Sequence, residues 1–414
     1  MNKNKIELLS PAGSYESLMA AIQAGADSVY FGVEQLNMRA RSNMNFTTDD
    51  LKKISKICKE HAVKSYLTLN TIVFDHDIAL MKKIIDCAKE HEIDAIIATD
   101  HAVLNYAKKI KMNVHISTQS NITNIDSIEF YAAWSDVMVL ARELSLTQVS
   151  EIVREIKRRK ITGPSGELVR IEVFGHGALC MAVSGKCYLS LHSNYASANR
   201  GACIQNCRKN YIVIDKEDGV ELEIDNEYIM SAKDLCTIDF LDKIIKAGVS
   251  VLKIEGRGRS ADYVSTVTQC YREAIDACYD KTYNAEKIED WKTRLSTVYN
   301  RGFWEGYYLG RTMGEWSNAY GSVATKRKIL IGKGLRYFKQ ARAGEFQLES
   351  HFLTVGDEIL ITGPTTGVVQ TIIEELRLGD AKTDKVIKGD VFTLQLDTQI
   401  RPSDKLFKMI AAND

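Results

Sequence analysis

Four cysteines within one short segment are the residues of this sequence best suited to chemistry. Cys180, Cys187, Cys203 and Cys207 follow the spacing Cys-x6-Cys-x15-Cys-x3-Cys in a polar, glycine-containing stretch. Four thiolates from one loop can close a metal site, and unligated core thiols are not expected in such a stretch. Structural zinc usually binds Cys-x2-Cys pairs, whereas the wider spacings leave room for a [4Fe–4S] cluster. We predict a metal site here, with a cluster favoured and zinc as the alternative.

The remaining five cysteines have a different sequence context. Cys58, Cys87, Cys270 and Cys278 fall in helical patterns and are typical of small buried hydrophobic residues. Cys236 is the exception, because it could replace one of the four metal ligands.

Two other chemistries have little support. In a radical S-adenosylmethionine enzyme, the pair Cys203-x3-Cys207 would be followed by a third cysteine at position 210. Position 210 is Asn. The sequence contains neither HExxH nor GxSxG, so protease chemistry lacks a motif. Cys180 and His176 could form a nucleophile–base pair, but that would remove Cys180 from the metal set.

Polar residues mark the carboxyl ends of several predicted strands. His115 and Gln119 share one face of a strand by the two-residue period, as do Lys253, Glu255 and Arg257 of another. On successive strands such residues would line the mouth of a barrel, where barrel enzymes place their active sites. The alternative is a hydrogen-bonded polar plug inside the barrel.

The elements that carry these residues alternate between short apolar runs and amphipathic helices. Eight runs predict strands buried on both faces: Ile6–Gly13, Ala26–Gly32, Val63–Asn70, Asp94–Asp100, Val114–Asn121, Asp136–Glu143, Arg170–Gly177 and Val249–Arg257. Eight strand–helix units in about 260 residues match a (β/α)8 TIM-like barrel of the α/β class. A doubly wound open sheet is the alternative, although no GxGxxG follows the first strand.

Two further regions are predicted outside the regular barrel units. A Cys-rich insertion at about 178–230 follows the seventh strand and includes an apparent hairpin from Tyr211 to Ile224. Long insertions at this position belong to the catalytic face of a barrel. Short strands without a good helix predict a small C-terminal β-barrel domain over residues 325–414, after a barrel domain over 1–324.

The first segment of that C-terminal region is strongly basic. Between Lys326 and Arg342 there are seven cations and no acid, with Tyr337 and Phe338 among them. This pattern is compatible with a surface that follows a nucleic-acid backbone. The alternative is a solvated edge strand that its charge protects from aggregation.

The overall composition is that of an ordinary globular protein. The 414 residues carry 54 Lys and Arg against 54 Asp and Glu, which argues against nonspecific coating of nucleic acid. No apolar run approaches the roughly 18 residues of a membrane helix, and the N-terminus lacks the h-region of a signal peptide. We therefore expect a soluble, cytoplasmic protein with no membrane partner and with reduced thiols.

The stretch Glu172 to Ser190 resembles the signature of the collagenase-like peptidase family, number thirty-two among peptidases of unknown mechanism. The pattern is E-x-F-x2-G-[SA]-aliphatic-C-x4-G-x-C-x-aliphatic-S, and EVFGHGALCMAVSGKCYLS meets every fixed position. ELLSPAG, RELS, RGAC-x3-C and LKIEGR also match blocks of this family. The resemblance spans roughly residues 6–310, and the tail resembles the family's C-terminal β-barrel domain.

This resemblance implies an RNA hydroxylation protein, most similar to the tRNA-acting branch that forms 5-hydroxyuridine at the wobble position. Related branches hydroxylate a cytidine of ribosomal RNA or serve ubiquinone hydroxylation. Such relatives carry a [4Fe–4S] cluster on four cysteines, and the RNA-acting ones depend on prephenate. The implied partners are tRNA and this small dicarboxylate, with a homo- or hetero-oligomer left open. A collagenase-like peptidase and a non-catalytic RNA-binding or assembly subunit are the alternatives.

The resemblance and the charge pattern together give a set of candidate site residues. His176 and Glu255 are the predicted catalytic residues, with His176 placed to carry a proton or to support the metal site. Carboxylates favour arginine and lysine partners, although each such residue could equally be a structural ion pair. Seven residues are predicted to bind substrate: Arg39, Arg41, His115, Gln119, Arg142, Lys253 and Arg257.

Overall fold

Eight parallel strands close into a barrel in the computed structural model, which describes residues 5–40, 45–212, 216–217, 228–310 and 314–412. Ten strands of the described residues form this sheet: β1 (Glu7–Pro11), β2 (Ser28–Phe31), β3 (Lys64–Leu69), β4 (Ala95–Ala98), β5 (Val114–Ile116), β6 (Val137–Val139), β7 (Arg170–Ala178), β8 (Asp234–Cys236), β9 (Val251–Ile254) and β10 (Phe303–Trp304). Strands β1–β7 and β9 run parallel, and pairing of β7 with β9 closes the barrel. The predicted TIM-like barrel is confirmed, with all eight predicted strands in place.

Helices follow most of the barrel strands and cover the outside of the sheet. The described residues form ten: α1 (Tyr15–Gln23), α2 (Leu51–Glu60), α3 (Ile78–Glu90), α4 (His101–Lys109), α5 (Ile125–Tyr131), α6 (Leu146–Arg159), α7 (Leu189–Asn194), α8 (Leu241–Lys246), α9 (Ala261–Tyr279) and α10 (Ala285–Ser296). The start of α6 shows why such segments are helical. Ser145 and Gln148 form a capping box that satisfies free backbone amides. Val149, Ile152 and Val153 then bury one face of the helix against the barrel.

Side chains of the strands alternate between two apolar clusters. Leu8 and Phe31 point outward into the main core between the sheet and the helices. Leu9, Tyr30 and Tyr66 belong to a separate cluster inside the barrel. The two-residue period of a strand therefore fills both sides of the sheet, which explains the nearly continuous apolar runs in the sequence.

The insertion leaves the barrel at the carboxyl end of β7 and returns through β8, which pairs antiparallel with β7. Arg200 joins the insertion to a neighbouring loop through a 2.6 Å ion pair with Asp77. Most of the predicted hairpin Tyr211 to Ile224 lies outside the described residues. No helix in the described ranges is both long and apolar enough to span a membrane.

The C-terminal part is an antiparallel sheet with its own apolar core. Its described strands are: β11 (Lys326–Phe338), β12 (Ala343–Leu348), β13 (Phe352–Thr354), β14 (Glu358–Gly363), β15 (Gly367–Ile372), β16 (Leu376–Leu378), β17 (Ala381–Thr383), β18 (Lys385–Ile387), β19 (Val391–Gln395) and β20 (Lys405–Ala411). The sheet order is β15-β14-β20-β11-β12-β19-β16-β17, with β13 and β18 paired separately. The predicted all-β region is thus present, while the exact domain boundary at 324/325 stays a prediction.

The basic segment of this region is not an edge strand. Strand β11 pairs with β12 on one side and with β20 on the other, so its backbone is satisfied inside the sheet. Most of its cations also have carboxylate partners: Lys326 with Glu358, Lys328 with Asp262, Lys333 with Glu349, Arg336 with Glu345 and Arg342 with Asp397. The edge-strand interpretation is therefore wrong, and little free positive charge remains there for a phosphate backbone.

Candidate active site

A cavity of about 280 Å³ lies where the carboxyl ends of the barrel strands meet the insertion. The strand ends contribute Tyr30, Thr68 and Lys253, and the insertion contributes residues around Cys180 and Cys203. Parallel strands all direct their carboxyl ends to this face, so residues far apart in sequence converge here. The predicted barrel mouth therefore exists as a concave, partly open site with mixed polar and apolar lining.

All four cysteines of the predicted metal site line this cavity. Burial raises the pKa of the Cys207 thiol, and the other three cysteines also raise it, which shows that the four thiols lie close enough to interact. Among the described residues, no three His, Cys, Asp or Glu side chains are close enough to surround one ion. Four thiolates are the donor set of structural zinc sites and of four-iron clusters, so the residues present fit either group.

Cys236 lies apart from the four cavity cysteines. It is on β8, its Sγ lies 3.9 Å from the hydroxyl of Tyr271, and burial raises its pKa to about 12. A buried thiol with this pKa stays protonated, whereas a metal ligand must be a thiolate. The geometry therefore gives no support to Cys236 as a replacement ligand.

The lining of the cavity is strongly cationic. Glu255 is its one carboxylate among the described lining residues. Seven lining side chains are basic: Arg39, Arg142, Arg208, Lys253, Arg257, Arg259 and Arg301. Such an excess of positive charge in a concave site attracts anions.

Glu255 is held as a carboxylate by this surrounding charge. Its Oε1 lies 3.1 Å from Arg39 Nη2, and the hydroxyl of Tyr30 donates to its Oε2 at 3.2 Å. Burial alone would raise its pKa, but Arg39, Arg142 and Arg257 lower it to about 2. A carboxylate with this pKa stays ionised at neutral pH, which suits orientation of Arg39 better than proton transfer.

Two of the predicted arginines have neutral partners. Arg257 is buried, its guanidinium donates to Asn37 Oδ1 at 3.0 Å and to Thr68 Oγ1, and burial lowers its pKa to about 10. Arg142 stacks 3.7 Å from the ring centre of Phe174 and donates from Nη1 to the carbonyl of Ala178. Its buried Nε has no hydrogen-bond partner in the described part of the chain. Both arginines therefore retain charge that no contacting carboxylate neutralises.

Lys253 connects the cavity to a polar network inside the barrel. Its Nζ lies 2.8 Å from Glu172 Oε1, and both side chains are buried. Burial raises the pKa of Glu172, while Lys253 opposes that effect. His115 does not line the cavity: it is buried inside the barrel with its ring 4.4 Å from that of Tyr66, and its Nδ1 has no hydrogen-bond partner among the described residues. The polar-plug alternative thus fits Glu172, whereas Lys253 lies at the boundary between plug and cavity.

His176 is buried behind the cavity and does not line it. Its Nδ1 lies 3.3 Å from the hydroxyl of Tyr271, and Tyr263 and Phe303 pack around the ring. Burial and the charge of Arg259 lower its pKa to about 3. The backbone carbonyl of His176 accepts a hydrogen bond from the backbone of Glu255 at 2.8 Å, but the His176 side chain does not line the cavity, so its catalytic role stays a prediction.

The two buried histidines predict a loss of stability in acid. Burial lowers the pKa of His115 and of His176 from 6.5 to about 3. The unfolded chain therefore binds protons between about pH 6.5 and pH 3 that the folded chain does not, and stability falls as the pH falls. Each histidine contributes up to about 1.4 kcal/mol per pH unit to that slope.

The expected result is that His176→Phe makes the slope shallower, because phenylalanine fits an aromatic environment and cannot titrate. Urea unfolding of both proteins across this pH range measures the slope. Equal slopes for the variant and the unaltered protein would contradict the buried neutral state of His176.

Three predicted substrate-binding residues remain, and two of them line the cavity. Arg39 and Gln119 line the cavity, while Arg41 lies outside the described residues. Sequence reasoning missed Arg208, Arg259 and Arg301. Two of these had a usable signal, because Arg208 directly follows the predicted ligand Cys207 and Arg259 is two residues beyond Arg257.

Arg208 has a structural role at the cavity wall. Its guanidinium donates to the carbonyl of Leu179 at 2.7 Å and also to the carbonyl of Ala232. Burial lowers its pKa, although the nearby thiols of Cys207 and Cys180 oppose that effect. Arg208 thus ties the cysteine loop to both ends of the insertion and adds positive charge beside the thiols.

Comparisons with known proteins place this architecture in a sequence family. Residues 13–318 match Peptidase family U32. The chain is 56% identical over 408 residues to a protein named collagenase from Porphyromonas gingivalis, with 99% of each chain covered. It is 30% identical over 416 residues to tRNA hydroxylation protein P1 of Bacillus subtilis, covering 98% of this chain and 95% of that one. The solved U32 peptidase Mk0906 is 12% identical, with a TM-score of 0.40 over 62% of this chain and 95% of that one.

Proposed function

Because the chain belongs to peptidase family U32, we propose that it is a tRNA-modifying hydroxylase that forms 5-hydroxyuridine at the wobble position. One observation carries this proposal: four thiols and seven cationic side chains share a single cavity with one carboxylate. A family relative of nearly equal length is named as a tRNA hydroxylation protein. The proposal includes a [4Fe–4S] cluster on the four cysteines and prephenate as the co-substrate.

The cysteine set supports the cluster. Cys180, Cys187, Cys203 and Cys207 would hold it, and when bound it supplies one-electron redox chemistry. The chain itself provides the surroundings: Arg208 fixes the loop, and the arginines offset the negative charge of four thiolates. For Cys207, Arg208 lowers the pKa of the thiol and so opposes the effect of burial.

The cationic lining supports a small dicarboxylate. Arg142 and Arg257 line the cavity and carry charge without a contacting carboxylate. Glu255 orients Arg39, which would complete the anion site. The cavity volume of about 280 Å³ is at the lower end for ligand pockets, so it suits a small molecule beside one inserted base.

A peptidase is the second candidate, because the relative from P. gingivalis is named collagenase. Its active site would need a nucleophile with a base, or a metal with an open coordination position. No histidine is present among the described lining residues, and His176 contacts Tyr271 instead of a cysteine. The geometry therefore favours hydroxylation over peptide hydrolysis.

The proposal predicts a defined product from a defined reaction. Protein purified without oxygen is incubated with tRNA from a strain that lacks the gene, with and without prephenate. Nucleoside mass spectrometry is expected to show 5-hydroxyuridine only when protein and prephenate are both present. RNA binding without any product would instead indicate a binding or assembly subunit, and gelatin cleavage with unchanged tRNA would indicate a peptidase.

A further inference from the structure

Helix α7 lies at the rim of the cavity with large aromatic side chains directed into solvent. Tyr188 precedes the helix and is 78% exposed, and Tyr195 follows it and is 93% exposed. His192, also exposed, falls between them. Tyr195 ends the helix in the left-handed region, with a φ of 53°, so the two exposed rings flank α7 at its two ends. Tyrosine combines a large apolar ring with a polar hydroxyl and is enriched at surfaces that bind partners.

One face of α7 is buried against the rest of the insertion. Ser190 is buried, and its hydroxyl accepts a hydrogen bond from the backbone of Ile204 at 3.1 Å. Asn206 donates to the carbonyl of Leu189, which itself lines the cavity. The two tyrosines are therefore presented from a fixed element, beside the cavity that Cys187 lines.

The charge around this face points to an anionic partner. Residues 178–212 include four Lys and Arg and no Asp or Glu. Arg200 and Arg208 are engaged within the protein. Lys186 and Lys209 are exposed and have no ion-pair partner among the described residues. This surface thus differs from β11, where carboxylates pair with most of the cations.

We propose that Tyr188 and Tyr195 form a base-stacking platform that holds single-stranded RNA at the entrance of the cavity. This inference rests on the proposed function and names the surface through which the substrate is held. The six residues of α7 span about 9 Å at 1.5 Å of rise per residue, so the flanking rings are separated by roughly that length. That distance corresponds to about three steps of a strand with bases spaced by roughly 3.4 Å. Lys186 and Lys209 contact the phosphates, while the ring faces accept neighbouring bases of any sequence.

The test measures RNA affinity rather than chemistry. The probe is a fluorescent stem-loop RNA with a uridine in its single-stranded loop, titrated with the full-length, cluster-loaded protein. Tyr188→Ala and Tyr195→Ala are each expected to weaken binding by about 5- to 100-fold. Tyr188→Phe retains the ring and is expected to bind within about twofold of the unaltered protein. Phe130→Ala removes another exposed ring, 56% exposed, from α5 and serves as the control.

The lysines give a second, independent readout. Lys186→Gln and Lys209→Gln are each expected to reduce the dependence of log affinity on log salt by about 0.7. Unaltered iron content and melting temperature show that a variant is folded.

The outcomes separate this inference from the proposed function. If the unaltered protein binds the stem-loop and both alanine variants bind it equally well, the platform is overturned while hydroxylation stands. If the unaltered protein binds no RNA, the proposed function is overturned with it. Loss of binding to anionic lipid vesicles, with RNA affinity unchanged, would assign the surface to a membrane instead.

Discussion

Cys180→Ser is expected to remove iron and sulfide from the protein almost completely. Cys180 lines the cavity with the other three cysteines. Because a [4Fe–4S] cluster is held by four thiolates, the variant would leave one iron without its protein ligand. We expect the broad visible absorption of anaerobically purified protein to disappear, together with formation of 5-hydroxyuridine. Metal analysis, the visible spectrum and nucleoside mass spectrometry measure these three effects on the same preparation.

Cys278→Ser is the matched control for this experiment. Cys278 is also a free cysteine, but it belongs to α9 and packs against the main core away from the cavity. The control loses one thiol and should keep its full iron content. Iron retained by Cys180→Ser, or one zinc per chain in protein purified without oxygen, would contradict the cluster assignment.

The barrel could be predicted because its physical signals are local. Each parallel strand is buried on both faces, so runs such as that around Ile96 and Ile97 are apolar without interruption. The cysteine spacing likewise identified four residues that the structure places around one cavity. Both predictions depend on short stretches of chain, where composition and spacing are sufficient.

Burial and pairing could not be read from the same sequence. His176 follows the strand core by spacing that suits a mouth residue, yet the glycines on either side of it and the surrounding aromatic rings place it behind the wall. Gly177 has a positive φ of 108°, which changes the direction of the chain at this point. The two-residue alternation of side chains, which assigns residues to the two faces of a strand, therefore does not predict the environment of His176 at the end of β7.

The basic segment of β11 shows the same limit in the C-terminal part. Its cations looked free because the nearby sequence contains no acid. Their partners, such as Asp262 and Glu358, come from distant elements that only the fold brings together. By contrast, the stretch 178–212 contains no acid, and its Lys186 and Lys209 are unpaired in the part of the chain that the structure describes. Local charge is thus a guide to a binding surface only after tertiary pairing is known.

Arg142→Met is expected to weaken prephenate binding by about 10- to 100-fold, which corresponds to the loss of one charge-assisted hydrogen bond. Methionine keeps an unbranched apolar stem but removes the charge and the guanidinium group that stacks on Phe174 and donates to the carbonyl of Ala178. Arg142→Lys should give an intermediate affinity, because it restores charge without the planar group. Anaerobic titration calorimetry at several salt concentrations measures these affinities.

Arg154→Met provides the comparison, since Arg154 is exposed on α6 and does not line the cavity. Removing its charge should leave the affinity for prephenate unchanged. Iron content must also be measured, because Arg142 donates to the carbonyl of Ala178 at the start of the cysteine loop. A variant with normal iron and weaker binding assigns Arg142 to the anion. Normal binding in Arg142→Met would instead mean that the cationic lining serves mainly to offset the charge of the thiolates.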